Sequence, residues 1–74
     1  MTIFILVNVS EKFRDEFFST ISHSRDYWEI HMLYGDWNFL VQVEIGSIEE
    51  REQVVQKVRQ MSGVTEVKVL TGTK

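Results

Sequence analysis

The sequence predicts an α+β domain whose elements run βαββαβ, with four strands forming one sheet and two helices covering one of its faces. Three observations predict it. Two segments place apolar residues at helical spacing, while four others alternate with the period of strands. Ser10, Phe17, Phe18, Ile21, Ile30, Met32 and Leu33 recur 37 positions later as Ser47, Val54, Val55, Val58, Val67, Val69 and Leu70, as in a doubled βαβ unit. The chain contains no proline, so no segment is barred from regular structure. Two right-handed crossovers with interleaved strands close into a four-stranded antiparallel sheet, the ferredoxin-like plait.

Each element has its own signal. Thr2 to Val9 is β-branched and aromatic, and apolar on both faces, as a central strand must be. Ser10 is placed to cap a helix whose apolar residues Phe13, Phe17, Phe18 and Ile21 lie on one side. Ser22 to Asp26 is a polar break. Tyr27 to Tyr34 alternates, with Trp28, Ile30, Met32 and Tyr34 on the helix side and Glu29, His31 and Leu33 opposite.

Gly35-Asp36 then reads as a two-residue hairpin turn, the glycine supplying positive φ. Phe39 to Ile45 alternates again, and Gly46 ends that strand. Ser47-Ile48-Glu49-Glu50 is a capping box opening a helix with an inner stripe of Ile48, Val54, Val55, Val58 and Met61. Gly63 falls where a helix exit requires a left-handed residue. Val64 to Thr71 forms the last strand, followed by a frayed tail, Gly72 to Lys74.

Composition bounds the function. Seventy-four residues, 1–74, fit one domain. Cysteine is absent, which removes disulfides and thiolate metal sites. The net charge of −3, from 8 basic and 11 acidic residues, gives no footprint for nucleic acid or an anionic membrane. The apolar N-terminus lacks a basic flank and is too short to span a bilayer, so the expected address is cytoplasmic. No metal or cofactor is expected.

Helices cover one face of such a sheet, and the other still carries Phe4, Leu6, Leu33, Leu40 and Leu70 among polar residues. Burying five such side chains gains about 7–15 kcal/mol gross, against an association cost of about 4–15 kcal/mol. These residues, with His31, are the expected dimer interface, and pairing through them would give a dimeric α/β-barrel type of association. Scattered surface leucines are ordinary, but these come from all four strands of one face.

Catalysis has little support. His23-Ser24-Arg25-Asp26 contains triad side chains, but four consecutive residues cannot adopt triad geometry. His23 reads as a solvated loop residue. Glu49, Glu50 and Glu52 read as charges favourable to a helix N-terminus. RNA-binding modules share this strand order but stack bases on aromatics of the helix-free face. Here the third strand offers Leu40, Gln42 and Glu44 instead. The glycines are isolated, and no glycine-rich phosphate loop precedes a helix.

One constellation remains, Tyr34-Gly35-Asp36-Trp37-Asn38. A tight turn alone explains Gly35 and Trp37. Backbone N–H groups and a carboxylate at a turn can also form a notch for a small zwitterion. The run Leu33 to Glu44 resembles the strand–hairpin–strand signature of the Lrp/AsnC effector-binding domain, and Met61 to Val67 is similar to its second-helix exit. Met1 already opens the first strand, so the resemblance is to a stand-alone form without the DNA-reading helix-turn-helix half.

The resemblance implies a non-enzymatic regulatory module and no direct nucleic-acid binding. It implies dimers formed through the sheets, a ring of dimers, and amino acids bound between dimers. Tyr34, Gly35, Asp36, Trp37 and Asn38 would be the ligand loop, and full-length Lrp/AsnC relatives would be partners. Tyr34 stands where the family usually has threonine, and Asn38 where it has aspartate. Two other readings share the fold. One is a peptide-binding chaperone that adds a strand to a sheet edge. The other is a small dimeric α/β-barrel enzyme, which would need ionisable residues pointing into the core.

Overall fold

The computed structural model describes residues 1–24 and 28–71. Its elements are β1 (Thr2–Val9), a 3-10 turn (Glu11–Phe13), α1 (Arg14–Ser22), β2 (Trp28–Met32), β3 (Phe39–Glu44), α2 (Ile48–Arg59) and β4 (Val64–Thr71). The sheet order is β2-β3-β1-β4 with every neighbouring pair antiparallel, the ferredoxin-like arrangement expected.

The alternation in the sequence becomes two registered faces. Toward the helices, Ile30, Val41, Ile5 and Val69 form one row across the sheet, and Met32, Phe39, Val7 and Val67 form the next. Ile3, Ile5, Val7 and Val9 are buried beneath Phe17 and Ile21 of α1 and Val54, Val55 and Val58 of α2. Phe17 and Phe39 meet at 5.3 Å between ring centroids, in the offset range that aromatic pairs favour. Among the described residues the buried set is wholly apolar.

Several expectations are corrected. Ser10 makes no side-chain cap. Its N–H donates to the Gly63 carbonyl at 2.8 Å and its carbonyl accepts from Phe13 N–H at 2.9 Å, so the chain enters α1 through a 3-10 turn. Ser47 does cap α2, accepting from Glu50 N–H at 3.1 Å. The Glu50 carboxylate reaches one residue further than a capping box requires, to Gly46 N–H at 2.8 Å.

The strand expected over Tyr27 to Tyr34 is shorter. Met32 pairs with Phe39, and Leu33 N–H still donates to the Asn38 carbonyl at 2.9 Å, so the turn spans more than Gly35-Asp36. Gly35 does have positive φ, +110°. Two residues expected to face the helices are open to solvent, Met32 at 66% and Tyr34 at 101%. Met32 is the last residue of the edge strand β2, and Tyr34 lies beyond it in the turn. Ile48 is 68% exposed because it opens α2 before the helix settles onto the sheet. Gly63 has φ +82°, as its place after α2 requires. Tyr27, the Arg25-Asp26 part of the polar break and the tail from Gly72 lie outside the described residues.

Candidate functional site

The candidate site lies at the end of the sheet where β2 passes into β3. Its organiser is Asn8, which alternation alone assigns to the helix-free face of β1. The Asn8 side-chain carbonyl accepts from Asn38 N–H at 2.8 Å. Its amide donates to the Asp36 carbonyl at 3.0 Å and to Glu66 at 3.1 Å. Asn38 returns the contact, its side-chain carbonyl accepting from Val9 N–H at 2.8 Å. Two asparagines thus pin the hairpin to the end of β1, each saturating backbone groups where the ladder stops.

Beside this clamp a cleft of about 500 Å³ opens between α1 and the end of β2. Phe18, Met32, Leu33 and Phe39 supply apolar surface; Arg14, Asp15, Ser19, Ser22, His23, Tyr34 and Asn38 complete the lining. Arg14 Nε donates to the Val9 carbonyl at 2.8 Å, which holds the guanidinium against the end of β1. His23 Nδ1 lies 2.8 Å from the Ser19 carbonyl. A carbonyl can only accept, so Nδ1 is the donor in this contact.

The structure divides the five hairpin residues. Tyr34 and Asn38 line the cleft, whereas Gly35, Asp36 and Trp37 do not. Asp36 is exposed and Trp37 half-buried. The side-chain carbonyl of Asn38 is already committed to β1.

Sequence reasoning missed Asn8, Arg14 and Asp15. Asn8 carries a usable signal, as the only amide in a strand otherwise made of apolar residues and Thr2. Arg14 and Asp15 carry none, since charges early in an amphipathic helix are normally solvated.

The helix-free face is also in register. Glu29, Gln42, Phe4 and Leu70 form one row across the four strands, and His31, Leu40, Leu6 and Lys68 the next. Phe4, Leu6 and Leu40 are half-buried, and Leu70 is 42% exposed. His31 Nε2 lies 3.6 Å from Glu29 on the β2 edge. Leu33 departs from this set: it lies past the end of β2 and lines the cleft. Among the described residues no three His, Asp or Glu side chains converge as metal ligands. No helix among them is long and apolar enough to cross a membrane.

Solved structures share this fold at low identity. TTHA0845 from Thermus thermophilus is 19% identical with a TM-score of 0.88, covering 99% of this chain and 92% of its own. FFRP-DM1 is 21% identical with a TM-score of 0.83, covering 93% of each chain. The hypothetical protein PHS023 from Pyrococcus horikoshii is 20% identical with a TM-score of 0.80, covering 93% of this chain and 84% of its own. Comparison with curated proteins gives no match. The family model for the Lrp/AsnC ligand binding domain matches residues 2–72, so the chain belongs to the Lrp/AsnC ligand-binding domain family.

Proposed function

We propose that this chain, over residues 1–74, is a non-enzymatic regulatory module. It self-associates through the helix-free face of its sheet and binds a small metabolite of the amino-acid class at the hairpin end. Assembly with further copies, or with full-length Lrp/AsnC relatives, is how ligand occupancy would reach a transcriptional regulator. The observation that carries the reading is the registered apolar patch of Phe4, Leu6 and Leu40 across β1 and β3, bordered by Leu70. Family membership supports the ligand-binding half of it.

A second copy is the partner that suits this face. Glu29 and His31 lie on one edge strand and Lys68 on the other, so a face-to-face pair can set opposite charges around an apolar centre. Phe4, Leu6 and Leu40 are already half-buried in one copy. The gain on pairing is therefore smaller than burial of fully exposed side chains would give. A moderate affinity follows, which suits an assembly that a ligand must be able to shift. The buried set, wholly apolar among the described residues, favours this reading over an enzyme that encloses its substrate between sheet and helices.

Light scattering coupled to size exclusion tests the proposal. Wild type is expected to run as a dimer or larger at tens of micromolar, a working concentration within ordinary interface affinities. Leu40→Lys is expected to give monomers without loss of the fold. A wild-type monomer at that concentration would sink the reading.

A further inference from the structure

The outer edge of β4 offers a contact that neither the helix-free face nor the hairpin end uses. β4 is an outer strand, and no strand among the described residues pairs with its open side. Hydrogen bonds elsewhere fix which of its backbone groups point outward. Met1 and Ile45 exchange both backbone bonds, at 3.2 and 2.8 Å, so they form a bonded pair of the β1–β3 ladder. Such pairs alternate along an antiparallel ladder. Ile3, Ile5 and Val7 therefore bond to β3, while Phe4, Leu6 and Asn8 turn their backbone groups to Leu70, Lys68 and Glu66 of β4. The Thr65 hydroxyl donates to the Asn8 carbonyl at 3.2 Å, on the β4 side as this alternation requires. The N–H and carbonyl groups of Val67 and Val69, which lie between, point to the open side.

An open edge is a template for another strand, and proteins usually blunt one with proline or short length. β4 is eight residues long and has no proline. On its helix side, Val67 and Val69 are only partly buried against the core. On its helix-free side, Glu66 and Lys68 are exposed, and among the described residues neither forms a salt bridge. An antiparallel pair about a two-fold axis can be centred on any of these residues. Centred on Glu66 or on Lys68, it sets like charges directly opposite one another, which is unfavourable. Centred on Val69, it sets Lys68 against Leu70. Centred on Val67, it sets Lys68 of each copy against Glu66 of the other, so the strand is complementary to itself.

We propose that β4 pairs edge to edge with β4 of a second copy, antiparallel about a two-fold axis at Val67. The Val67 backbone groups exchange hydrogen bonds across the axis, and a Lys68–Glu66 pair closes on either side of it. The two four-stranded sheets then continue into one. This contact does not rest on pairing through the helix-free face, which uses Phe4, Leu6 and Leu40. It is the weaker of the two, because few backbone groups meet and its ion pairs are exposed. Where copies also pair by their faces, the edge contact links those pairs into larger assemblies.

Sedimentation velocity on the full chain carrying Leu40→Lys, which lacks the face contact, isolates the edge. Its monomers at tens of micromolar should give way to dimers toward about 1 mM. Lys68→Glu in that background should keep the chain monomeric, and adding Glu66→Lys should restore the dimers with the charges exchanged. A monomer at about 1 mM, an association that Lys68→Glu leaves unchanged, or an exchange that restores nothing would overturn the proposal. If Leu40→Lys is already dimeric at tens of micromolar, loss of that dimer with Lys68→Glu supports the edge and counts against the face. Amide hydrogen exchange on the wild type needs no variant. The Val67 N–H should exchange severalfold more slowly at about 1 mM than at tens of micromolar, whereas the Lys68 N–H, bonded to β1, should be slow at both. A Val67 rate independent of concentration would overturn the edge contact.

Discussion

The two halves of the molecule begin alike and diverge within one turn. Ser10 and Ser47 occupy equivalent places before α1 and α2, and the fourth residue of each run decides what the serine does. In the second half it is Glu50, whose N–H meets the Ser47 hydroxyl while its carboxylate holds Gly46 N–H. In the first half it is Phe13, which has no carboxylate to complete the exchange and turns instead toward the exit of α2. A Cβ placed on Gly63 would lie 2.4 Å from the Phe13 Cβ. The first helix is therefore entered by a tertiary contact and the second by a local one. The difference carries into length, since α2 runs 12 residues and α1 runs 9. Met32, at the end of the edge strand β2, is 66% exposed, whereas its repeat equivalent, Val69, packs against the core.

The largest expected effect is at the tertiary joint. Gly63→Ala combines an unfavourable positive φ with a collision against Phe13, and should cost about 2–5 kcal/mol in urea unfolding. Adding Phe13→Ala should recover part of that loss by opening the space. If the double variant is no better than the single one, Phe13 is not what constrains Gly63.

Gly35 makes the contrasting case. It has positive φ but nothing within 4 Å of an added Cβ, so Gly35→Ala should cost only the backbone term, about 1–3 kcal/mol. Equal losses at Gly35 and Gly63 would mean that the Phe13 contact adds nothing.

The smallest pair compares the serines. Ser47→Ala removes a cap and should cost about 1 kcal/mol. Ser10 acts through its backbone, so Ser10→Ala should stay within about 0.5 kcal/mol of wild type. A loss at Ser10 matching that at Ser47 would break the comparison of local and tertiary entry.

The same division explains what could be read in advance about the site. The apolar patch of Phe4, Leu6 and Leu40 was legible because strand alternation assigns residues to faces without knowledge of the partner strands. The positive φ at Gly35 was legible because glycine is the residue that tolerates it. The cleft was not legible. Its walls come from α1 and from the end of β2, and its existence depends on how far the helix extends over the sheet. Asn38 read as a ligand contact, yet pairing with Asn8 turns its side-chain carbonyl to β1. That exchange joins residues thirty positions apart, which no local pattern reports.

Sequence alone determined the element order, the sheet topology, the helix-facing set apart from Met32, Tyr34 and Ile48, and the patch on the opposite face apart from Leu33. All four follow from periodicity and from a repeat, which are properties of neighbours along the chain. Tertiary structure alone decided that Ser10 would not cap, that the turn would extend beyond Gly35-Asp36, and that Arg14 would face a cleft beside Asp15. The first two depend on a backbone group from a distant element, the third on the end of the preceding strand. Gly63 takes the N–H of Ser10, Asn8 takes that of Asn38, and the Val9 carbonyl takes the Arg14 side chain. A buried or terminal backbone group must find a partner, and only the assembled fold determines which one is within reach.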